Sequence, residues 1–327
     1  MSTPDPPLVE RVLAGDSRAI ARAISLIENE DPQAAAVVRA IFGKTGRAYI
    51  IGVTGPPGAG KSTLVDRMTA DIRGRGNTVG VLTVDPTSPF SGGALLGDRL
   101  RMQGHAADEG VFIRSMATRG HLGGLARATG DAALVLDAAG KEIIVIETVG
   151  VGQDEVDIIR TADVSIVVLV PGMGDDVQAL KAGIMEIADI FVVNKADREG
   201  ADRLVATIES NLTLQTVGPD QWQPPVLKTI ATNGTGVPEL VDAIWSYRGH
   251  SEATRSVRRQ KRTEFRLREL VSQRFMERLE RKILQPGELE AIVNRVAARE
   301  VDPYTAADEL VSRALASRTG LKAGPYK

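Results

Sequence analysis

Between residues 49 and 230 the chain is punctuated by short apolar runs. They fall at Tyr49–Thr54, Thr78–Val84, Val111–Ser115, Glu142–Glu147, Val164–Val170, Ile190–Asn194 and Val226–Ile230. Most are near-continuous in β-branched and apolar residues rather than alternating, which is what parallel strands buried on both faces require. Segments of helical character separate most of them. The pattern predicts an α/β fold with a doubly wound, mostly parallel sheet. Upstream, Leu8, Val12, Leu13, Ile20, Ile24 and Ile27 recur at helical spacing, and Asp16-Ser17 reads as a helix start. Two or three helices are expected there, packed on the sheet domain. Downstream, Phe265, Leu270, Val271, Phe275, Leu279 and Ile283 mark one face of a long helix that Pro286-Gly287 ends. Two further helices are expected at about 288–299 and 304–317. The resulting division is an N-terminal helical extension over 1–46, an α/β domain over 47–250 and a helical region over 251–327.

In doubly wound sheets the ligand lies at the carboxyl ends of the strands, and the polar motifs of this chain fall there. The first is Gly55-Pro56-Pro57-Gly58-Ala59-Gly60-Lys61-Ser62, which fits the phosphate-binding pattern G-x-x-x-x-G-K-S/T. It follows a strand and opens a helix over 61–73, the context the motif needs. Glycines let the backbone wrap phosphate oxygens, and amide N–H groups at a helix N-terminus hold the anion. Residues 55–60, Lys61, Ser62 and Thr63 are therefore nucleotide-binding candidates. Lys61 is expected at the β- and γ-phosphates and the Ser62 hydroxyl on Mg²⁺. Glu147 ends a hydrophobic strand, as a carboxylate holding Mg²⁺ or its water shell does. Asp85, at the end of the second strand, would face the phosphates. Asp98, within the glycine-rich stretch 90–99, is a further candidate near the metal.

Asn194-Lys195-Ala196-Asp197 fits N-K-x-D at a strand end. An aspartate that accepts from N1–H and the exocyclic amine of guanine selects GTP over ATP, because adenine would leave the carboxylate badly paired. The asparagine would brace the loop, and the lysine stem would cover the base. Ile230, Ala231 and Thr232 end the last strand, placed to offer backbone N–H groups to the guanine carbonyl. Gly150, three residues after Glu147, is placed to bind the γ-phosphate, so that the segment after it responds to phosphate loss. Gln153 is a candidate for positioning the attacking water, although no glutamine directly follows Gly150, and slow intrinsic hydrolysis is expected. Pro171 to Lys181 holds two glycines and two adjacent aspartates and reads either as a third switch or as an exposed loop. Arg119 and His121 touch phosphate or a partner, or are simply solvated. Lys61, Glu147, Gln153 and Lys181 are the catalytic candidates.

Composition narrows the field. The 327 residues carry a net charge of −2, without the basic excess of a general nucleic-acid binder. The run of basic residues at 255–262 is read as a solvated helix face, with the long helix serving self-association. There is no cysteine, so thiolate metal sites and a cysteine nucleophile are excluded. No apolar stretch has the length of a membrane span. The N-terminal residues show no signal-peptide pattern, and a cytoplasmic protein is expected, with neither membrane nor nucleic acid as partner.

The ordered set 55–63, Val-Asp-Pro-Thr-Ser at 84–88, Gly-Gly-Ala-Leu-Leu-Gly-Asp-Arg at 92–99, Glu-Thr-Val-Gly-Val-Gly-Gln at 147–153 and Asn-Lys-Ala-Asp at 194–197 resembles the methylmalonyl-CoA mutase-associated GTPases. These are also known as arginine/ornithine transport kinases. The likeness spans nearly the whole chain, and the 147–153 block is its most specific part. It implies a homodimeric G-protein chaperone, paired through its C-terminal helices. Such a chaperone binds an adenosylcobalamin-dependent acyl-CoA mutase, gates cofactor loading and guards the mutase against inactivation. It also implies GTP/GDP and Mg²⁺ as ligands, with Lys61, Ser62, Asp85, Asp98 and Glu147 around the metal and phosphates and 170–181 as a switch. The chain departs from the commoner Ser-Ala base loop at Thr229-Ile230-Ala231-Thr232. A kinase of a transport system and a metal-insertion GTPase are the alternatives. The guanine-reading motif counts against the first, the absence of cysteine against the second.

Overall fold

A computed structural model describes residues 6–85, 103–105, 107–117, 124–148, 161–172, 188–214, 218 and 221–316. Strands β1 (Tyr49–Thr54), β2 (Val79–Asp85), β3 (Val111–Ala117), β4 (Ile143–Thr148), β5 (Val164–Leu169), β6 (Ile190–Asn194) and β7 (Val226–Thr229) form one sheet, ordered β3-β2-β4-β1-β5-β6-β7. Every neighbouring pair is parallel. Each strand lies where an apolar run predicts it, with ends shifted by no more than about two residues, the usual uncertainty of element boundaries.

The apolar runs are continuous because both faces of the sheet are covered. Side chains alternate along a strand, so β4 sends Ile143 and Val145 to one layer and Ile144 and Ile146 to the other. The first layer holds Leu64, Val65, Met68 and Ile72 of α4 (Lys61–Gly74) and Leu240, Val241 and Ile244 of α7 (Val237–Ser251). The second holds Val135 and Leu136 of α5 (Gly124–Ala138) together with the N-terminal helices α1 (Pro6–Leu13), α2 (Ser17–Glu28) and α3 (Ala34–Phe42). Beside it, α6 (Ala201–Thr213) packs Ile208 on Phe191 and Val193 of β6.

The N-terminal helices share this core directly: Leu8, Val12, Ile20, Ile24 and Ile41 are fully or almost fully buried. The helix start expected at Asp16-Ser17 is there. Asp16 Oδ1 accepts from the Ala19 N–H at 2.9 Å and caps α2. Buried Asp137 of α5 accepts from the N–H groups of Gly46, Arg47 and Ala48, fixing how the chain enters β1.

The chain forms two compact units, Met1–Arg258 and Arg259–Lys327. The second contains most of α8 (Arg255–Lys282) with α9 (Glu288–Ala297) and α10 (Pro303–Ala316). Its own small core gathers Leu279, Leu284 and Ala314, and Arg313 pairs with Glu288 at 2.5 Å. Among the described residues, the apolar face expected on the long helix is covered most fully at its C-terminal end, with Leu270 half-buried. Leu279 is buried, whereas Phe265, Val271 and Phe275 are exposed. No helix among the described residues is long and apolar enough to cross a membrane.

Candidate functional site

The carboxyl ends of the strands lie along one edge of the sheet, and strand register brings the motifs there. Val53 aligns with Glu147, Thr54 with Val167, and Asn194 with Thr229. Residues 55–60 join β1 to α4. Gly55, Gly58 and Gly60 all have positive φ, at 143°, 75° and 85°. Gly55 also lies against β5: a Cβ there would sit 2.1 Å from the Val168 carbonyl oxygen.

Lys61 and Ser62 open α4, at the end where N–H groups are unpaired and the helix dipole is positive. Buried Lys61 donates from Nζ to the carbonyls of Gly55 (2.6 Å) and Pro56 (2.9 Å), so its ammonium lies within the curl of the loop. Ser62 Oγ donates to Glu147 Oε1 at 2.6 Å across 85 residues of sequence. Glu147 is only 3% exposed and is held on β4, an inner strand next to β1. A hydroxyl and a carboxylate oxygen side by side at a phosphate loop are hard donors, the set by which Mg²⁺ is held through one or two carboxylates plus substrate phosphates. The residues fit that ion.

The Asn194-Lys195-Ala196-Asp197 loop is tied to the phosphate loop. Asn194 is fully buried. Its Nδ2 donates to Ala59 O at 2.8 Å, and its Oδ1 accepts from Thr229 Oγ1 (3.0 Å) and the Ala231 N–H (3.1 Å). Lys195 Nζ donates to Gly58 O at 2.7 Å, from a residue held at φ 55°. That is a left-handed conformation, uncommon for a residue with a side chain. Asp197 stands exposed beside this pair.

The turn at 230–235 differs from the expectation in which N–H groups it offers. Ile230 N–H is taken by Thr235 O (2.9 Å) and Ala231 N–H by Asn194 Oδ1. Of the three candidates, Thr232 alone has an N–H that no other described residue accepts. Its carbonyl accepts from Arg67 Nη2 of α4 at 2.9 Å. Arg67 carries no motif signal, because in sequence it is one of several polar positions on an amphipathic helix. Asp98, Arg119, His121, Gly150, Gln153 and Lys181 lie outside the described residues, as does the side chain of Asp85.

Residues 20–283 match the family described as "Methylmalonyl Co-A mutase-associated GTPase MeaB". A protein of Pyrococcus abyssi named as a GTPase is 52% identical over 93% of this chain and 95% of its own length. GTPase ArgK of Escherichia coli K12 is 37% identical over 73% of this chain and 75% of its own. A solved structure, titled as that of the LAO/AO transport system kinase, superposes with a TM-score of 0.72 at 26% identity. It covers 94% of this chain and 96% of that one. With the phosphate loop, the guanine-type loop and these matches together, the chain belongs to the MeaB family of methylmalonyl-CoA mutase-associated GTPases: it is a P-loop enzyme that binds GTP and GDP and hydrolyses GTP.

Proposed function

We propose that this GTPase is a nucleotide-dependent chaperone of an adenosylcobalamin-dependent acyl-CoA mutase, with methylmalonyl-CoA mutase the first candidate. It would gate cofactor loading and protect the mutase from inactivation. The observation that carries the reading is membership of a family described by its association with that mutase. Residues 47–250 would do the nucleotide chemistry, 1–46 would cover one face of the sheet, and 251–327 would pair two copies.

In this reading the loop 55–60, through N–H groups of its non-proline residues, and the Lys61 ammonium bind and orient the β- and γ-phosphates, Pro56 and Pro57 shape the loop, and Thr63 extends that cradle. Ser62 and Glu147, with Asp85 and Asp98, would hold Mg²⁺, which would supply positive charge against the negative charge that develops on transfer. Asp197 accepts from the guanine edge, and Thr232 donates its N–H to the guanine carbonyl. The Gly150 N–H senses the γ-phosphate, Gln153 orients the attacking water, and Lys181 brings a charge from the third switch. Catalysis of this kind is positioning plus electrostatic stabilisation, so a partner that orders the switch segments raises the rate without supplying new chemistry. A transport-system kinase has no use for a carboxylate that selects guanine. A metal-insertion role would call for a thiolate or histidine cluster, and the sequence has no cysteine and three scattered histidines.

The test is GTP hydrolysis, with ATP as control, alone and with a purified adenosylcobalamin-dependent acyl-CoA mutase. Slow GTP-selective turnover that rises at least about tenfold with the mutase, the scale of a 1.4 kcal/mol change in barrier, is expected. Turnover indifferent to every such mutase would overturn the chaperone reading.

A further inference from the structure

We propose that Arg67 is a specificity-determining positioning residue that aims the Thr232 N–H at the 6-oxo group of guanine. The inference rests on the guanine-binding reading above and adds a residue to it.

In the turn after β7, five of the six N–H groups from Ile230 to Thr235 have acceptors. Ile230 N–H goes to Thr235 O (2.9 Å), Asn233 and Gly234 N–H to Ile230 O (3.1 and 3.0 Å), and Ala231 N–H to Asn194 Oδ1 (3.1 Å). The peptide between Thr232 and Asn233 is clamped at both ends: its N–H by Ile230 O, its carbonyl by Arg67 Nη2 at 2.9 Å. Rotation of that peptide would swing Thr232, so the clamp fixes the direction of the preceding N–H. That N–H is the donor which no other described residue accepts.

Arg67 reaches the turn from α4, whose first residues are Lys61 and Ser62. One rigid helix therefore carries phosphate-binding candidates at its N-terminus and a brace for the base turn on its second turn. Asn194 and Lys195 tie the base loop to Ala59 and Gly58 from the other side. Among the described residues the Arg67 bond is the only side-chain bond from α4 to this turn. Arg67 is exposed, so its replacement leaves no buried polar group inside the core.

The experiment measures dissociation constants for GDP, 6-thioguanosine diphosphate and inosine diphosphate with the full-length wild type, Arg67→Ala and Arg67→Lys. The thio analogue replaces only the 6-oxo acceptor by a poor one. Inosine removes only the exocyclic amine that Asp197 reads. Wild type should prefer GDP over the thio analogue by about 3- to 10-fold, the scale of one neutral hydrogen bond. Arg67→Ala should shrink that ratio towards one, leave the GDP-to-inosine ratio unchanged, and be restored by Arg67→Lys, which can still donate to a carbonyl. A ratio that survives in Arg67→Ala overturns the positioning role, and so does an equal loss for all three nucleotides with a lowered melting temperature. A wild type that fails to distinguish inosine diphosphate from GDP would instead sink the base-reading role of Asp197. One that distinguishes inosine but not the thio analogue overturns the Thr232 contact, and the Arg67 inference with it.

Discussion

Gly60 answers to two constraints at once. Its φ of 85° lies in the left-handed region, and a Cβ on it would stand 2.5 Å from Asn194 Nδ2. An alanine there costs about 1–2 kcal/mol in backbone conformation alone. It also pushes Asn194 off Ala59 O, releasing the base loop from the phosphate loop. Gly60→Ala is therefore expected to weaken GTP binding by about tenfold or more, measured by calorimetric titration. Wild-type affinity in this variant would show that the Asn194 brace does not matter to the site. The motif pattern made this glycine legible but gave it a single reason, tolerance of unusual backbone angles. The second reason is a contact between residues 134 apart in sequence, which no local pattern encodes. Arg67 was illegible on the same ground. The base-loop N–H groups were legible as a set, yet which of them stays available is decided by the Asn194 amide and by Thr235.

At the scale of elements the reading from sequence carried far, because the inner strands β1, β2, β4, β5 and β6 are buried on both faces and so announce themselves as continuous apolar runs. The helices were legible by period and caps. The long helix near residue 260 was legible as amphipathic, but which part of its face is covered depends on where α10 returns, and periodicity holds no information on that. Ties between elements were equally hidden. Arg73 of α4 grips Asp108, ahead of β3, with two hydrogen bonds of 2.8 and 2.9 Å. That guanidinium, helped by the Gly110 N–H, holds the Asp108 carboxyl down to about 2, from an ordinary 3.8. A depressed carboxylate stabilises the fold above its unfolded pKa and loses that contribution as pH falls through its folded one. The stability difference between wild type and Asp108→Asn should then be constant above pH ~5 and close between about 4 and about 2. Urea midpoints at a series of pH values, at unchanged slope, read it. A difference that persists unchanged at pH ~2.5, well below the unfolded carboxylate range, would mean that the pair contributes through packing rather than charge.

For the whole molecule the open question is what covers the second unit. Leu267, Val271 and Phe275 recur every four residues along α8, 59%, 59% and 36% exposed, and the stripe runs into Leu279, which is buried against its own unit. Upstream of Leu279 the same face has no cover among the described residues. If two copies pair there about a two-fold axis, each side chain on the stripe is buried twice. Burial of a side chain of this size contributes about 1.5–3 kcal/mol, so one substitution counted twice weakens association by about 3–6 kcal/mol, or roughly 100- to 10,000-fold. Val271→Glu should thus convert a dimer into a monomer at the same concentration in sedimentation equilibrium. Basal GTP turnover should stay unchanged, since nothing at the phosphate or base loops is touched. The charge falls on a position already exposed within its own unit, so the helix itself tolerates it. A wild type that sediments as a monomer, or a Val271→Glu variant that dimerises as tightly, would assign the stripe to another occupant, with the mutase the next to try by cosedimentation.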